Sequence, residues 1–349
     1  AHIFSFSVLD EELVELYQYK SLLFAKARLN KCPVGVIIFL IFNKHSKDNF
    51  GTYQHTVWAD KSGYYIFLPM VFEYGFDAEK MPDGIENRVG NGFTIDSESN
   101  KMITKYNCGV SILQAPFYLL SKSIPTSTIE TDEQGEPIPT EYSSLTMAFM
   151  HLGAAFFFSL GLYLLFSSLK VYFSTFTVIS SLLAVVFGSN VLHYAINETL
   201  MTHVYSFFWF SVALHSCIAL FKKNQQQLNH WIYLCLAIGF IMLLRPTNVV
   251  FLVALFILFY DKQAFKNFFI HSLAIKIGLM VLIIGLVFLP QLLYWNYAYG
   301  SLVVDTYQAE TFSNWSRPKL LETLFSPNNG LFLYSPILIF TLIGGLFML

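Results

Sequence analysis

Apolar and polar positions fall in long blocks along this chain, not in the short period of an amphipathic surface helix. The first apolar block, VGVIIFLIF at 34–42, is shorter than the roughly 20 residues a helix needs to cross a bilayer. Residues 45–142 are polar, interrupted by GYYIFLPMVF (63–72) and VSILQAPFYLL (110–120). Each of these pieces contains a proline and is too short to span, so both read as interfacial or partly inserted helices. TSTIETDEQGEPIPTEYSS (126–144) reads as a loop, acidic and rich in Pro and Thr. Beyond it the pattern predicts helices near 145–167, 172–194, 202–221, 229–244, 247–260, 272–296 and 330–349. The run AAFFFSLGLYLLF in the first of these is apolar on every side, as lipid-facing helices are. The fold expected is an all-α polytopic membrane bundle of about seven to eight spans, with a long first loop outside the membrane.

Composition sharpens this. Of 349 residues, 55% are hydrophobic and 13% charged, with 36 Phe, so one polytopic membrane domain (34–349) is favoured over two or three soluble ones. Net charge is −2, which excludes a basic nucleic-acid surface. Residues 1–33 form a mixed segment, placed in the cytoplasm if 34–42 crosses. The chain starts at Ala1 and stops at Leu349 within an apolar run, the pattern expected of a piece of a longer protein. Cys32, Cys108, Cys217 and Cys235 include no CxxC pair, which argues against a disulfide framework or a zinc site.

Basic residues set the orientation. Lys170, then Lys222 and Lys223, then Lys262, Lys266 and Lys276 fall in alternate loops, which are assigned to the cytoplasm. The loops 45–142, 195–201, 245–247 and 297–329 are then external, flanked by Tyr194, Tyr205, Trp295, Tyr297 and Tyr299. Cys108 lies in the first of these loops and is expected to react with thiol reagents added from outside. NET (197–199) and NWS (314–316) fit the glycosylation triplet, a pattern frequent by chance.

Most unusual ionisable residues share that external side: Asp60, Lys61, Glu73, Lys105, His193, Glu198, His203, Arg245 and Asp305. Charge at or in a membrane is costly enough to mark function. Asp60 can take a proton from an incoming nucleophile, against the plain alternative of an Asp-Lys turn. Arg245, at LLRP, can fork onto a phosphate or snorkel to the interface. Lys105 can neutralise a phosphate or sit solvated. His193, Glu198 and His203 do not share one helix face, so His203 reads as a hydrogen-bonded interface residue, not a metal ligand. Tyr64, Tyr65 and Phe67 are expected at the interface, holding Asp60 over a cavity mouth. No nucleophile elbow, P-loop or dinucleotide glycine fingerprint occurs, and no cofactor or metal is indicated.

In order, WADKSGYYIFLP, KMITKYNCGVSILQAPFYLL, NETLMTHVYSFFWF, LLRPTN and FSPNNGLFLYSP resemble bacterial GT-C-type membrane glycosyltransferases. The likeness is to the protein-mannosyltransferase and aminoarabinose-transferase-like group (glycosyltransferase family 39-like) and covers roughly residues 50 to 349. The resemblance implies a polyprenyl-phosphate sugar as donor and a protein, glycolipid or polysaccharide as acceptor, joined on the outer face of the bacterial inner membrane. It implies Asp60 as the base, with Lys105 and Arg245 on the lipid phosphate. His203, Lys61, Tyr64 and Glu198 would complete the substrate site. The chain departs from the family in reading KYN where relatives carry a KPP-like motif, and Lys61 where relatives often place a second acid. A transporter or flippase for a lipid-linked or small anionic substrate is the alternative, and a scaffold without activity is a third reading. A transporter should show repeated broken helices, and the sequence offers no convincing repeat.

Overall fold

The computed structural model describes residues 33–96, 98–125, 129–222, 227–259, 273–306, 317–328 and 330–347. The N-terminal segment to residue 32, Lys223, Lys262, Lys266 and the 314–316 triplet lie outside the described residues.

The chain is mainly helical. The helices that organise it are α1 (Pro33–Lys44), α2 (Asp60–Tyr65), α3 (Gly109–Lys122), α4 (Ser144–Leu169), α5 (Thr175–Gly188), α6 (Val191–Asn197), α7 (Thr202–Cys217), α8 (Leu228–Leu244), α9 (Val249–Phe259), α10 (Leu273–Tyr299) and α11 (Leu338–Leu346). Local chemistry sets several boundaries. Ser143 and Ser174 cap α4 and α5, accepting from the backbone N–H of Thr146 and Thr177 at 3.3 and 3.2 Å. Pro246 stops α8 at Leu244, because the residue before a proline is pushed out of the helical region.

Among the described residues, three helices are long and apolar enough to cross a membrane: Ser144–Leu169, Thr202–Phe221 and Leu273–Tyr299. A fourth candidate is α5 with α6, a pair bent by 62° at Ser189–Asn190, where the sequence pattern predicts one straight helix. α1, α8 and α9 are apolar but shorter. α7 packs between α4 and α8, α8 packs on α10, and α3 lies against α4.

The segment 45–142 is more than a polar loop with surface helices. It is a folded layer whose core of Phe50, Tyr65, Ile66, Met70, Ile85, Phe93, Met102, Tyr118 and Tyr142 is continuous with Met147, Leu243 and Tyr294 of the bundle. Tyr64, Tyr65 and Phe67 are only 2%, 1% and 4% exposed, so they are packed inside the protein and not at a membrane interface. Their aromatic partners explain this: Tyr64 lies against Tyr106, Tyr65 against Tyr118 and Tyr142, and Phe67 against Tyr294. The layer also holds an antiparallel hairpin, β1 (Thr94–Asp96) with β2 (Lys101–Ile103), which the apolar pattern does not announce. Both strands are three residues long. Cys108 is buried, which withdraws the expectation of labelling from outside, and burial pushes its thiol up to about 12. Cys108, Cys217 and Cys235 are all free thiols.

The layer sits at one end of the bundle. Asn107 Nδ2 donates to Leu243 O at the end of α8 (2.8 Å), and Tyr297 OH donates to Phe76 O (3.0 Å). Thr104 is a hub: its N–H donates to Tyr294 OH (2.7 Å) and its hydroxyl donates to Gly92 O (3.0 Å). At the other end, Trp231 Nε1 donates to Lys276 O (3.0 Å) and Ser168 meets His215 (3.2 Å).

Candidate functional site

The residues singled out in the sequence collect at the end of the bundle covered by the folded layer. Asp60 opens α2, exposed to solvent, and α2 runs almost unbroken into the helical turns ending at Tyr74. Ala59, just before it, has a left-handed φ of 52°, a strained backbone for a residue with a Cβ. The Gly90–Asn91–Gly92 turn closes over this point so tightly that a Cβ on Gly92 would lie 2.1 Å from Ala59 O.

Asp60 Oδ1 accepts from Tyr106 OH at 2.5 Å. Tyr106 is nearly buried, and its ring stacks obliquely on Tyr64 with centroids 4.6 Å apart. Thr104 holds the strand end that precedes it, so Lys105 and Tyr106 are positioned together. Lys105 Nζ lies 5.5 Å from the Tyr106 ring centroid, a cation–π distance. Asp60, Lys105, Tyr106 and Tyr299 line one cavity of about 380 Å³, roofed by the glycine turn.

Lys61 faces elsewhere. Its Nζ pairs with Glu198 Oε2 at 2.9 Å, and both line a neighbouring cavity of about 560 Å³ with His45, Asp48, His55 and His193. The Asp-Lys pair is therefore divided between two cavities. Arg245 lines neither. Its Nη1 lies 3.4 Å from His203 Nε2, and the imidazole stacks flat on Tyr194, with centroids 3.5 Å apart. A guanidinium can only donate, so Nε2 accepts and the ring proton sits on Nδ1. That buried Nδ1 has no hydrogen-bond partner among the described residues. His193, Glu198 and His203 take separate partners, as their spacing suggests. Tyr64 is a core residue that supports Tyr106. Glu73 is bound into the layer by Lys122 (3.0 Å) and Tyr118 (2.9 Å).

The sequence reading missed Tyr106, Tyr299 and a second polar group. Thr56 contacts Asp48, His45 and His151 together. Burial raises the Asp48 carboxyl, but the His45 ring and Thr56 outweigh it and leave that carboxyl below its ordinary value. His151 carried a signal: it is the one polar ring within the apolar stretch FMHLGAAFFF of a predicted span.

No family model matches the chain, and neither a curated protein nor a solved structure is similar to it.

Proposed function

We propose that this protein is a GT-C-type membrane glycosyltransferase that moves a sugar from a polyprenyl-phosphate donor to an acceptor hydroxyl or amine. The observation that carries the reading is the shared cavity of Asp60 and Lys105, with Tyr106 hydrogen-bonded to the carboxylate. Asp60 takes the acceptor proton as the acceptor attacks the anomeric carbon. The bond from that carbon to the phosphate oxygen breaks, its electron pair leaves with the lipid phosphate, and the anomeric centre inverts. Lys105 meets the negative charge that develops on the phosphate, a role that a preformed cation performs without reorganisation. Arg245, held against His203, is a second cation at the same end of the bundle, suited to a phosphate further along the lipid.

Support for a bacterial inner-membrane protein comes from the exposed apolar faces. Phe176, Phe187 and Ile257 are 81%, 71% and 72% exposed within the protein, which is lipid-facing behaviour. Counting the bent pair and the shorter apolar helices α1, α8 and α9 as spans beside the three long ones gives a bundle of seven. Lys170 and Lys276 at the opposite end would face the cytoplasm, and the folded layer would face outward.

The test is transfer from a panel of polyprenyl-phosphate sugars by purified protein. Asp60→Asn keeps an oxygen for Tyr106 to donate to, so folding and donor binding should survive. Transfer should fall by ~10²–10⁴. Undiminished transfer in Asp60→Asn would remove the base from this mechanism. One observation favours transport instead, the 62° break between α5 and α6. Uptake of a lipid-linked or anionic substrate into proteoliposomes, independent of Asp60, would favour that reading.

A further inference from the structure

The group at His45, Asp48 and His151 stands apart from the proposed base and phosphate cations, and its ring nitrogens and carboxylate converge on one centre. His45 Nε2 lies 2.9 Å from the carbonyl of Ile196. A carbonyl only accepts, so Nε2 carries a proton, and in the neutral ring Nδ1 presents a lone pair. That Nδ1 is 3.0 Å from Asp48 Oδ1, itself an acceptor, and 3.0 Å from Thr56 Oγ1. The Thr56 hydroxyl has one proton, and its closest partner is Asp48 Oδ2. His151 pairs through Nδ1 with Thr199 Oγ1 (3.0 Å) and turns Nε2 toward the same centre, 3.3 Å from Thr56 Oγ1. With both rings neutral and His151 protonated on Nδ1, two imidazole lone pairs and a carboxylate face one centre. A cation at that centre would take a lone pair from each ring and from the carboxylate; without one, the same contacts are hydrogen bonds to Asp48 from His45 and Thr56.

We propose that His45, Asp48 and His151 bind one divalent transition-metal ion, zinc being the best match, where α1, α4 and the segment after α6 meet. One donor atom from each lies within 4.8 Å of the others. Donors on a tetrahedral ion with bonds of ~2.0–2.1 Å sit about 3.3 Å apart, so modest closure completes the set. Two imidazole nitrogens with one carboxylate suit zinc and its neighbours, whereas magnesium and calcium prefer oxygen alone. Each imidazole also has its outer nitrogen hydrogen-bonded, to Ile196 O or Thr199 Oγ1, which is how second-shell groups orient metal-binding histidines. His45 and Asp48 line both the cavity of about 560 Å³ that Lys61 faces and a second of about 340 Å³ on which His151 opens. A fourth coordination position thus has room for water or a ligand oxygen. This inference does not depend on the transferase reading.

The test takes the full chain in detergent, stripped with a chelator and repurified, and titrates it with cobalt(II). Visible d–d bands should saturate at about one ion per chain and be displaced by zinc(II), counted by elemental analysis. Asp48→Asn and His45→Gln should abolish the bands and weaken zinc binding by ~100-fold or more. Thr199→Val removes the hydrogen bond to His151 without touching a ligand, and should cost ~10-fold. Gel filtration and tryptophan fluorescence check the fold of each variant; if a ligand variant misfolds, Thr199→Val decides. Absence of binding to wild type overturns the proposal and leaves His45 as a hydrogen-bond partner of Asp48. Binding of equal strength in wild type and every folded variant also overturns it, by placing the ion elsewhere.

Discussion

Two stretches of nearly equal apolarity meet opposite fates. GYYIFLPMVF, within the folded layer, has Tyr64 through Met70 buried, whereas LFLYSPILIF near the C-terminal end leaves Leu333, Tyr334 and Phe340 at 58%, 52% and 68% exposure. Hydrophobicity alone does not separate them. What differs is the supply of partners: the first is met by the rings of Tyr106, Tyr118, Tyr142 and Tyr294, and Tyr65 OH donates to Glu141 O. Peripheral helices such as α10 present apolar side chains with little protein around them. The layer is thus held by specific contacts, and the periphery is fit for a fluid apolar surround.

Thiol accessibility should show the largest contrast. Cys108 is buried, and burial pushes its thiol up to about 12, so both access and thiolate formation are cut. Tyr53 is 74% exposed in the same layer. Maleimide labelling of intact cells should modify a Tyr53→Cys variant at least ~10³-fold faster than Cys108 in the native chain. Equal rates would mean the layer opens freely. Protection of Tyr53→Cys in cells, with labelling after lysis, would reverse the proposed orientation.

Core truncation comes next. Tyr65→Ala removes a ring packed between Tyr118 and Tyr142 and a hydroxyl that donates to Glu141 O, and should cost ~3–5 kcal/mol in denaturant titrations in detergent. Phe340→Ala, at an exposed position, should fall within ~0.5 kcal/mol of wild type. Similar losses at both positions would erase the distinction between layer and periphery.

The same contrast can be put to glycines. A Cβ on Gly92 would meet Ala59 O at 2.1 Å and Ser62 Oγ at 2.4 Å, backbone and a short side chain that cannot swing clear. Gly92→Ala should therefore cost ~1–3 kcal/mol and reduce transfer activity by moving Asp60. Gly285 in α10 has nothing within 4 Å of a built Cβ, so Gly285→Ala should be neutral or gain up to ~1 kcal/mol from helix propensity.

These contrasts mark how far the sequence could be read. Long apolar blocks foretold α4, α7 and α10, because a helix crossing hydrocarbon needs little but length and apolarity. Pro246 foretold the break at Arg245. The 62° bend at Ser189–Asn190 was hidden, since Gly, Ser and Asn there could as well have ended a straight helix. The hairpin 94–103 was hidden because its strands are three residues long and pair through the backbone. At the site, Asp60, Lys105 and Arg245 stood out as charges beside apolar sequence. Tyr106 did not, being one of 20 tyrosines, and its value lies in a tertiary contact with Asp60. His45, Asp48 and His151 escaped because the first two lie over a hundred residues before the third, and no local motif links them.

The smallest expected effect concerns the seam between the layer and the bundle. Lys61 Nζ and Glu198 Oε2 are 2.9 Å apart, with side chains 13% and 31% exposed, so the pair is partly screened by water. Lys61→Met keeps the length of the stem and removes the charge, and should cost ~0.5–1 kcal/mol. If that loss is electrostatic, wild type should weaken by a similar amount between 0.15 M and 1 M salt, as the screening length falls from ~8 to ~3 Å. The variant should not respond to salt at this site. A larger, salt-independent loss would mean that Lys61 acts through the packing of its stem, making the seam a continuation of the layer's core rather than a solvated contact.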